Sequence, residues 1–371
     1  MKIGMVPLLY DEYNYGGVLQ FFALQQAIRG MGYEVRILHF ENDEKITAGQ
    51  SRAIGLDIKV KRAIYRLLYR NDRRILESAT SARRSKIDRF KSDYYSEVVA
   101  ERDIDYYDYD AVICGSDQIW NPKWARRRCF LEFVPEHVNK IIYAASLGVE
   151  EMSNAEKEAF KPRISRLDHV SVREYSAKEI LDGFTERDDI VVVADPTLLL
   201  TPDEWRTVAH NGTVPKEKYV FTYFLGDYSK IKGYVSDFAT NRGLKIVNIP
   251  FASGERIDNE NFGDIKIIDA SPEDFLALIE NAEYVFTDSF HACVFSTLFQ
   301  KEFYVFERDG SKQMSGRIQT LLKNFDLPDR FIPIGPIPDL PQLDFSKNGV
   351  QQEKIRQFSI SFLKASITNG Q

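Results

Sequence analysis

Short runs of β-branched and aromatic residues recur along this chain, and most end abruptly in a polar residue before a helix-like stretch begins. "KIGMVPLL", "AVICGSD", "KIIYAASLG", "DIVVVADP", "YVFTYFLG" and "EYVFTDS" are examples. Strands of this kind alternating with helical patterns predict parallel βαβ units with right-handed crossovers. Ligands of open α/β sheets gather at the carboxyl ends of the strands. The polar residue that closes each run is therefore a candidate for chemistry.

Two of these junctions stand out. In "KIGMVPLLYDEYNYGGVLQFFALQQAIRGMGYEVRILHF" a strand, a loop, a helix and a second strand follow one another. The loop carries Asn14, Gly16 and Gly17 just before the helix, a phosphate-cradle chemistry that lacks both G-x-G-x-x-G and a P-loop. In "YVFTDSFHACVFSTLFQ" the polar knot of Asp288, Ser289 and His291 sits between a strand and a helix, where free backbone N–H groups attract anions. Asp288 and Ser289 read first as helix caps. His291, one of five histidines, reads as functional, because a titrating group is useful there.

Other strands deliver Gly115, Ser116 and Asp117, then Arg173 with Glu174, then Asp195 before Pro196. Asp195 is expected to be structural. Ser116 and Asp288, with Asn14, Gly16 and Gly17, are expected on the acceptor side of a cleft. "SPEDFLALIENA" carries a capping box of Ser271 and Asp274, which marks a helix start.

A chain of 371 residues, 44% of them hydrophobic, predicts two domains. The polar segment "TPDEWRTVAHNGTVPKEK" is the expected junction. The expected organisation is a Rossmann-like domain over 1–200, a second over 216–345, and a helix over 349–367 that packs back on the first. The fold class is α/β, with the two domains facing a cleft.

A formal net charge of −6 disfavours a general nucleic-acid binder. Three cysteines without CxxC spacing point to a reducing cytoplasm, and the histidines show no metal-ligand spacing, so no protein-bound metal or cofactor is expected. Pro7 and the acidic pair Asp11 and Glu12 make the N-terminus a strand rather than a signal peptide. Residues 52–91 hold thirteen Lys or Arg against four Asp or Glu, read as a solvated helical insertion, with peripheral contact at the inner face of the membrane as the alternative.

Taken together, "NYGGVLQFFALQQAI", "AVICGSDQIWNP", "YAASLG", "SVREYSA", "VADPTLLL" and "VFTDSFHACVFS" resemble, in order, the motifs of the polysaccharide pyruvyl transferase family. The resemblance spans roughly residues 10 to 325. It implies a fold like that of the B-type glycosyltransferases and transfer of a pyruvyl group from phosphoenolpyruvate to a saccharide. The product would be a cyclic ketal made during capsule, exopolysaccharide or wall-glycan assembly, with a lipid-linked intermediate as the expected acceptor. Phosphoenolpyruvate would be a co-substrate, and no other cofactor is expected.

By the same resemblance His291 is the catalytic acid and Arg173 a donor ligand; Asp117, at the end of its strand, is the candidate for orienting or deprotonating the acceptor hydroxyl. Active family members commonly carry Arg where this chain has Ser289. Arg317 and Lys312, at or before another helix start, are expected donor ligands with Ser289, and Arg317 is the expected replacement for that charge. The departure leaves two alternatives, a nucleotide-sugar glycosyltransferase and a non-catalytic glycan-binding relative.

Overall fold

The computed structural model describes residues 1–8, 13–40, 46, 70–253, 256–258, 262–307 and 316–368. Lys312 and residues 52–69 of the basic segment lie outside them. The first half of the chain runs β1 (Lys2–Val6), α1 (Tyr15–Gly30), β2 (Glu34–His39), α2 (Arg70–Tyr94), β3 (Val98–Ala100), β4 (Ala111–Asp117) and β5 (Asn139–Ala145). It continues with α3 (Asn154–Ile164), β6 (His169–Val172), α4 (Tyr175–Asp182), β7 (Val191–Val192) and α5 (Pro202–Ala209).

These strands form one sheet in the order β3-β2-β1-β4-β5-β6-β7, every pair parallel. All seven residues of β5 are buried, the expected composition for a strand covered by helices on both faces. The second half adds β8 (Tyr219–Tyr223), α6 (Lys232–Asn241), β9 (Lys245–Asn248), a hairpin of β10 (Phe251–Ser253) and β11 (Arg256–Asp258), and β12 (Ile265–Lys266). Then come α7 (Pro272–Glu280), β13 (Tyr284–Thr287), α8 (Phe290–Leu298), β14 (Glu302–Phe306), α9 (Gly316–Asn324), β15 (Phe331–Ile332) and α10 (Phe345–Thr368).

The second sheet is ordered β12-β9-β8-β13-β14-β15, again all parallel. Two Rossmann-like α/β units are therefore present. In each, strand order reverses at one point, between β1 and β4 in the first sheet and between β8 and β13 in the second. Such switch points open crevices beyond the strand ends.

Helix α1 is buried almost all round, because it lies between the two units. Phe21, Leu24 and Ile28 pack against the first sheet beside Ile3, Met5 and Ile37. On another face Tyr15 stacks on Phe275 at 4.9 Å and donates its hydroxyl to Ala270 O at 2.7 Å. The segment read as a polar junction contains α5, started by a Thr201–Glu204 capping box and buried through Trp205, Val208 and Ala209. Its short apolar face was hidden among charged residues in the sequence.

Helix α10 lies on the first sheet. Asn139 donates to Ser366 O at 2.6 Å, Ala194 N donates to Ser359 Oγ at 2.9 Å, and Leu363 and Ile367 enter that sheet's core. Among the described residues no helix is long and apolar enough to cross a membrane. Cys114, Cys129 and Cys293 are buried, and none is joined in a disulfide.

Candidate active site

The first switch point ends in Gly115, Ser116 and Asp117 at the carboxyl end of β4. Gly115 has φ +146°, and a Cβ there would lie 2.1 Å from Tyr143 O, so the close approach of β5 requires glycine. Asp117 follows at φ 63°, a left-handed conformation that Asp tolerates better than bulkier residues.

Asp117 Oδ1 accepts from Arg173 Nη2 at 2.8 Å and lies 3.7 Å from Arg317 Nη1. Arg173, just past β6, also donates through Nη1 to Asp195 Oδ2 at 2.5 Å, and its Nε lies 3.9 Å from Glu174 Oε2. Three carboxylates thus surround one guanidinium, which sits 4.6 Å from the Phe290 ring centroid. Burial disfavours the charged forms, yet the facing charges win for three of these groups. Against that burial, Asp117 is held below the usual carboxylate range by Arg173, His291 and Arg317. Asp195 is held well below it by His291, Arg173 and the Thr197 hydroxyl, again against burial. Arg173 is raised by Asp117, Asp195 and Glu174, although burial alone would lower it. Glu174 goes the other way: burial raises it, and Arg173 and Arg317 offset that only in part.

The second switch point supplies His291, in the first turn of α8 after its N-cap Ser289. His291 Nε2 lies 3.6 Å from Asp195 Oδ2. The imidazole rests on the start of α1, where a Cβ on Gly16 would come within 2.0 Å of Nδ1. Asn14 caps α1 by accepting from Gly16 N at 2.9 Å. Two helix N-termini therefore meet at this imidazole, and neither has an acidic residue in its first turn. Their partial positive charges favour an anion. Three buried atoms of the cluster, Arg173 Nε, Glu174 Oε2 and His291 Nε2, make no hydrogen bond.

Arg317, in the first turn of α9, reaches the cluster from the second unit. With the Gln118 amide turned so that its oxygen faces the guanidinium, that oxygen accepts from Arg317 Nη1 and Nη2 at 3.2 and 3.1 Å. Among the described residues no group of three His, Cys, Asp or Glu side chains could hold a metal ion.

His291, Asp117, Arg173 and Arg317, which the sequence singled out, thus come together. Ser289 and Asn14 are helix caps. Of the residues expected on the acceptor side, Gly16, Gly17, Ser116 and Asp288 are buried within the protein's own structure. Ser116 is engaged internally: its Oγ donates to Ala144 O at 2.7 Å, and its N donates to Gln20 Oε1 at 3.1 Å. Asp288 does not cap α8; it accepts from Leu225 N and Gly226 N at 2.6 and 2.8 Å and ties down the loop after β8.

Asp195 is the residue the sequence undervalued. It does cap the turn at Pro196–Leu198, as expected, but its other oxygen joins Arg173 and approaches His291. Its position at a strand end, like that of Asp117, was the available signal. Gln118, beside Asp117, was missed.

The model of the polysaccharide pyruvyl transferase family matches residues 14–310. The chain belongs to the polysaccharide pyruvyl transferase family. That family places it among transferases of polysaccharide biosynthesis. No curated protein matches it. Among solved structures, family membership is accompanied by distant likenesses. The UDP-GlcNAc 2-epimerase from Methanocaldococcus jannaschii is 11% identical with a TM-score of 0.47, covering 95% of this chain and 92% of that one. A heptosyltransferase from E. coli, solved with ADP, is 11% identical with a TM-score of 0.40, covering 96% and 100%. The UDP-GlcNAc 2-epimerase from Neisseria meningitidis, bound to UDP-GlcNAc, is 10% identical with a TM-score of 0.42, covering 99% and 94%. Likenesses this remote carry no argument about function.

Proposed function

We propose that this pyruvyl transferase takes its pyruvyl group from phosphoenolpyruvate and joins it as a ketal to two hydroxyls of a saccharide. The observation that carries the reading is the meeting of the α1 and α8 N-termini at His291, with Arg317 close by and no acidic residue in either first turn. That environment suits a donor bearing a carboxylate and a phosphate. Asp117, Asp195 and Glu174 temper the positive charge, so the donor binds a cluster already nearly balanced.

In this reaction the vinyl carbon of the donor gains a proton and becomes the methyl group. One acceptor hydroxyl adds to the neighbouring carbon, the bond from that carbon to the phosphate oxygen breaks, and the second hydroxyl closes the ring. The two hydroxyls release two protons; one balances the methyl group and the other leaves with phosphate. His291 is assigned as the acid that protonates the vinyl carbon. Asp117, paired with two arginines, orients a hydroxyl; carboxylates held this low are poor bases.

Arg173 holds Asp117 and Asp195 in place, its guanidinium already engaged by both. Arg317 supplies the donor charge that Ser289 lacks. Calorimetric titration of phosphoenolpyruvate tests this. Saturable binding is expected, weakened about tenfold or more in Arg317→Gln, since a charge-assisted contact contributes about 1.5 to 3 kcal/mol. Absence of saturable binding at millimolar donor, or binding indifferent to Arg317→Gln, would overturn the assignment.

A further inference from the structure

The reacting cluster is buried, and the small residues expected to face the acceptor are interior, so a saccharide must be held by exposed side chains beside the cluster. Two exposed aromatic residues stand at the carboxyl edge of the first sheet. Trp124, 37% exposed, follows β4; Tyr175, 44% exposed, begins α4 immediately after Arg173 and Glu174. The strand between them is β5, so the two segments flank one strand end.

Both residues are tied to the site by polar contacts. Trp124 Nε1 donates to Gln118 O at 3.1 Å, and the Gln118 side chain meets Arg317, which approaches Asp117. Tyr175 donates its hydroxyl to Asn324 Oδ1 at 3.2 Å, and its ring lies 5.4 Å from Lys323 Nζ. Lys323 and Asn324 end α9, the helix that Arg317 begins. Helix α9 thus touches Tyr175 at its last turn and, through Arg317 in its first, the side chain of Gln118, whose backbone carbonyl holds Trp124. Among the described residues the other large exposed aromatics lie elsewhere: Tyr107 precedes β4, Tyr234 is on α6 and Phe358 on α10.

We infer that Trp124 and Tyr175 form the platform of a saccharide subsite, with the Gln118 amide as its polar contact, an inference that rests on the donor reading above for the direction of transfer. A pyranose presents a face of C–H groups and a rim of hydroxyls. An aromatic ring fixed by its own polar tip meets the face, and an amide meets the rim. The exposed rings thus complete what the buried acceptor-side residues do not supply.

Tryptophan fluorescence provides the test, because Trp120 and Trp205 are fully buried and Trp124 is the one open to a soluble quencher. Acrylamide quenching of the full chain is measured with methyl β-glycosides of galactose, glucose and mannose. At least one is expected to shield Trp124 saturably, and Tyr175→Ala is expected to raise its half-saturation about fivefold, the worth of one stacked ring. No shielding by any of the three, in protein that binds phosphoenolpyruvate, overturns the subsite; so does shielding that Tyr175→Ala leaves unchanged. Shielding in protein that does not bind phosphoenolpyruvate supports the saccharide subsite and removes the donor reading alone.

Discussion

Asp195 carries two roles at once, and its ionisation links them. One oxygen accepts from Thr197 N and Oγ1 at 3.0 and 2.6 Å, and the other pairs with Arg173 and faces His291. Because Asp195 and Asp117 are depressed in the folded protein, an unfolded chain takes up their protons first as pH falls. Their contribution to stability is present above the unfolded carboxylate value of about 3.9 and is lost as pH falls through the depressed native values. Glu174 has the opposite sign: raised in the folded state, it favours folding below its unfolded value, and that contribution is lost as pH rises through the raised one. Asp195→Asn should therefore lower stability at neutral pH by about 3 to 5 kcal/mol, the cost of breaking a buried pair, and should also flatten the acid limb of the melting temperature below about pH 4. Melting curves across pH read both. An acid limb as steep as that of the wild type would show that Asp195 is not depressed.

Helix α2 shows how a charge-rich element is used inward. Arg83, 6% exposed, donates through Nε to Ile268 O at 2.7 Å and through Nη2 to Pro250 O at 2.9 Å, both in the second unit. Lys86 pairs with Asp269 at 2.9 Å. The sequence read this basic run as a solvated insertion or a membrane dock; within its described part Arg83 and Lys86 clasp the two units, and residues 52–69 lie outside the described residues. Arg83→Ala leaves two carbonyls without their donor and should cost about 2 to 4 kcal/mol, read as a lower urea midpoint. An unchanged midpoint would mean that the clasp contributes nothing. Features set by neighbours in sequence were legible beforehand, as with the Ser271–Asp274 capping box, which the structure contains. Strand ends and the alternation of elements were legible for the same reason. The inward use of Arg83 was not, because its partners lie 167 and 185 residues away. Nor was the second buried face of α1, which exists only because another unit packs there.

At the scale of the molecule, one hydrophobic core crosses the boundary between the units. Phe22 of α1 meets Trp205 of α5 at 5.6 Å between ring centroids, and Trp205 meets Phe295 of α8 at 4.9 Å. Tyr15 stacks on Phe275 in the same cluster. The site has the same dual origin, with Asp117, Arg173 and Asp195 from the first unit and His291 and Arg317 from the second. Neither unit can expose its share of this core without stranding aromatic surface on the other, at a cost of about 25 cal/mol for each Å² of apolar surface exposed. The two should therefore unfold together. Scanning calorimetry is expected to give one transition with equal calorimetric and van't Hoff enthalpies, and Trp205→Ala should move that single transition down by about 3 to 5 kcal/mol. Two resolved transitions, with only one shifted by Trp205→Ala, would mean that the units are independent. In that case the Arg173–Asp195–His291 contacts could open while each unit stays folded. A single transition instead ties the assembled site to the global stability of the chain.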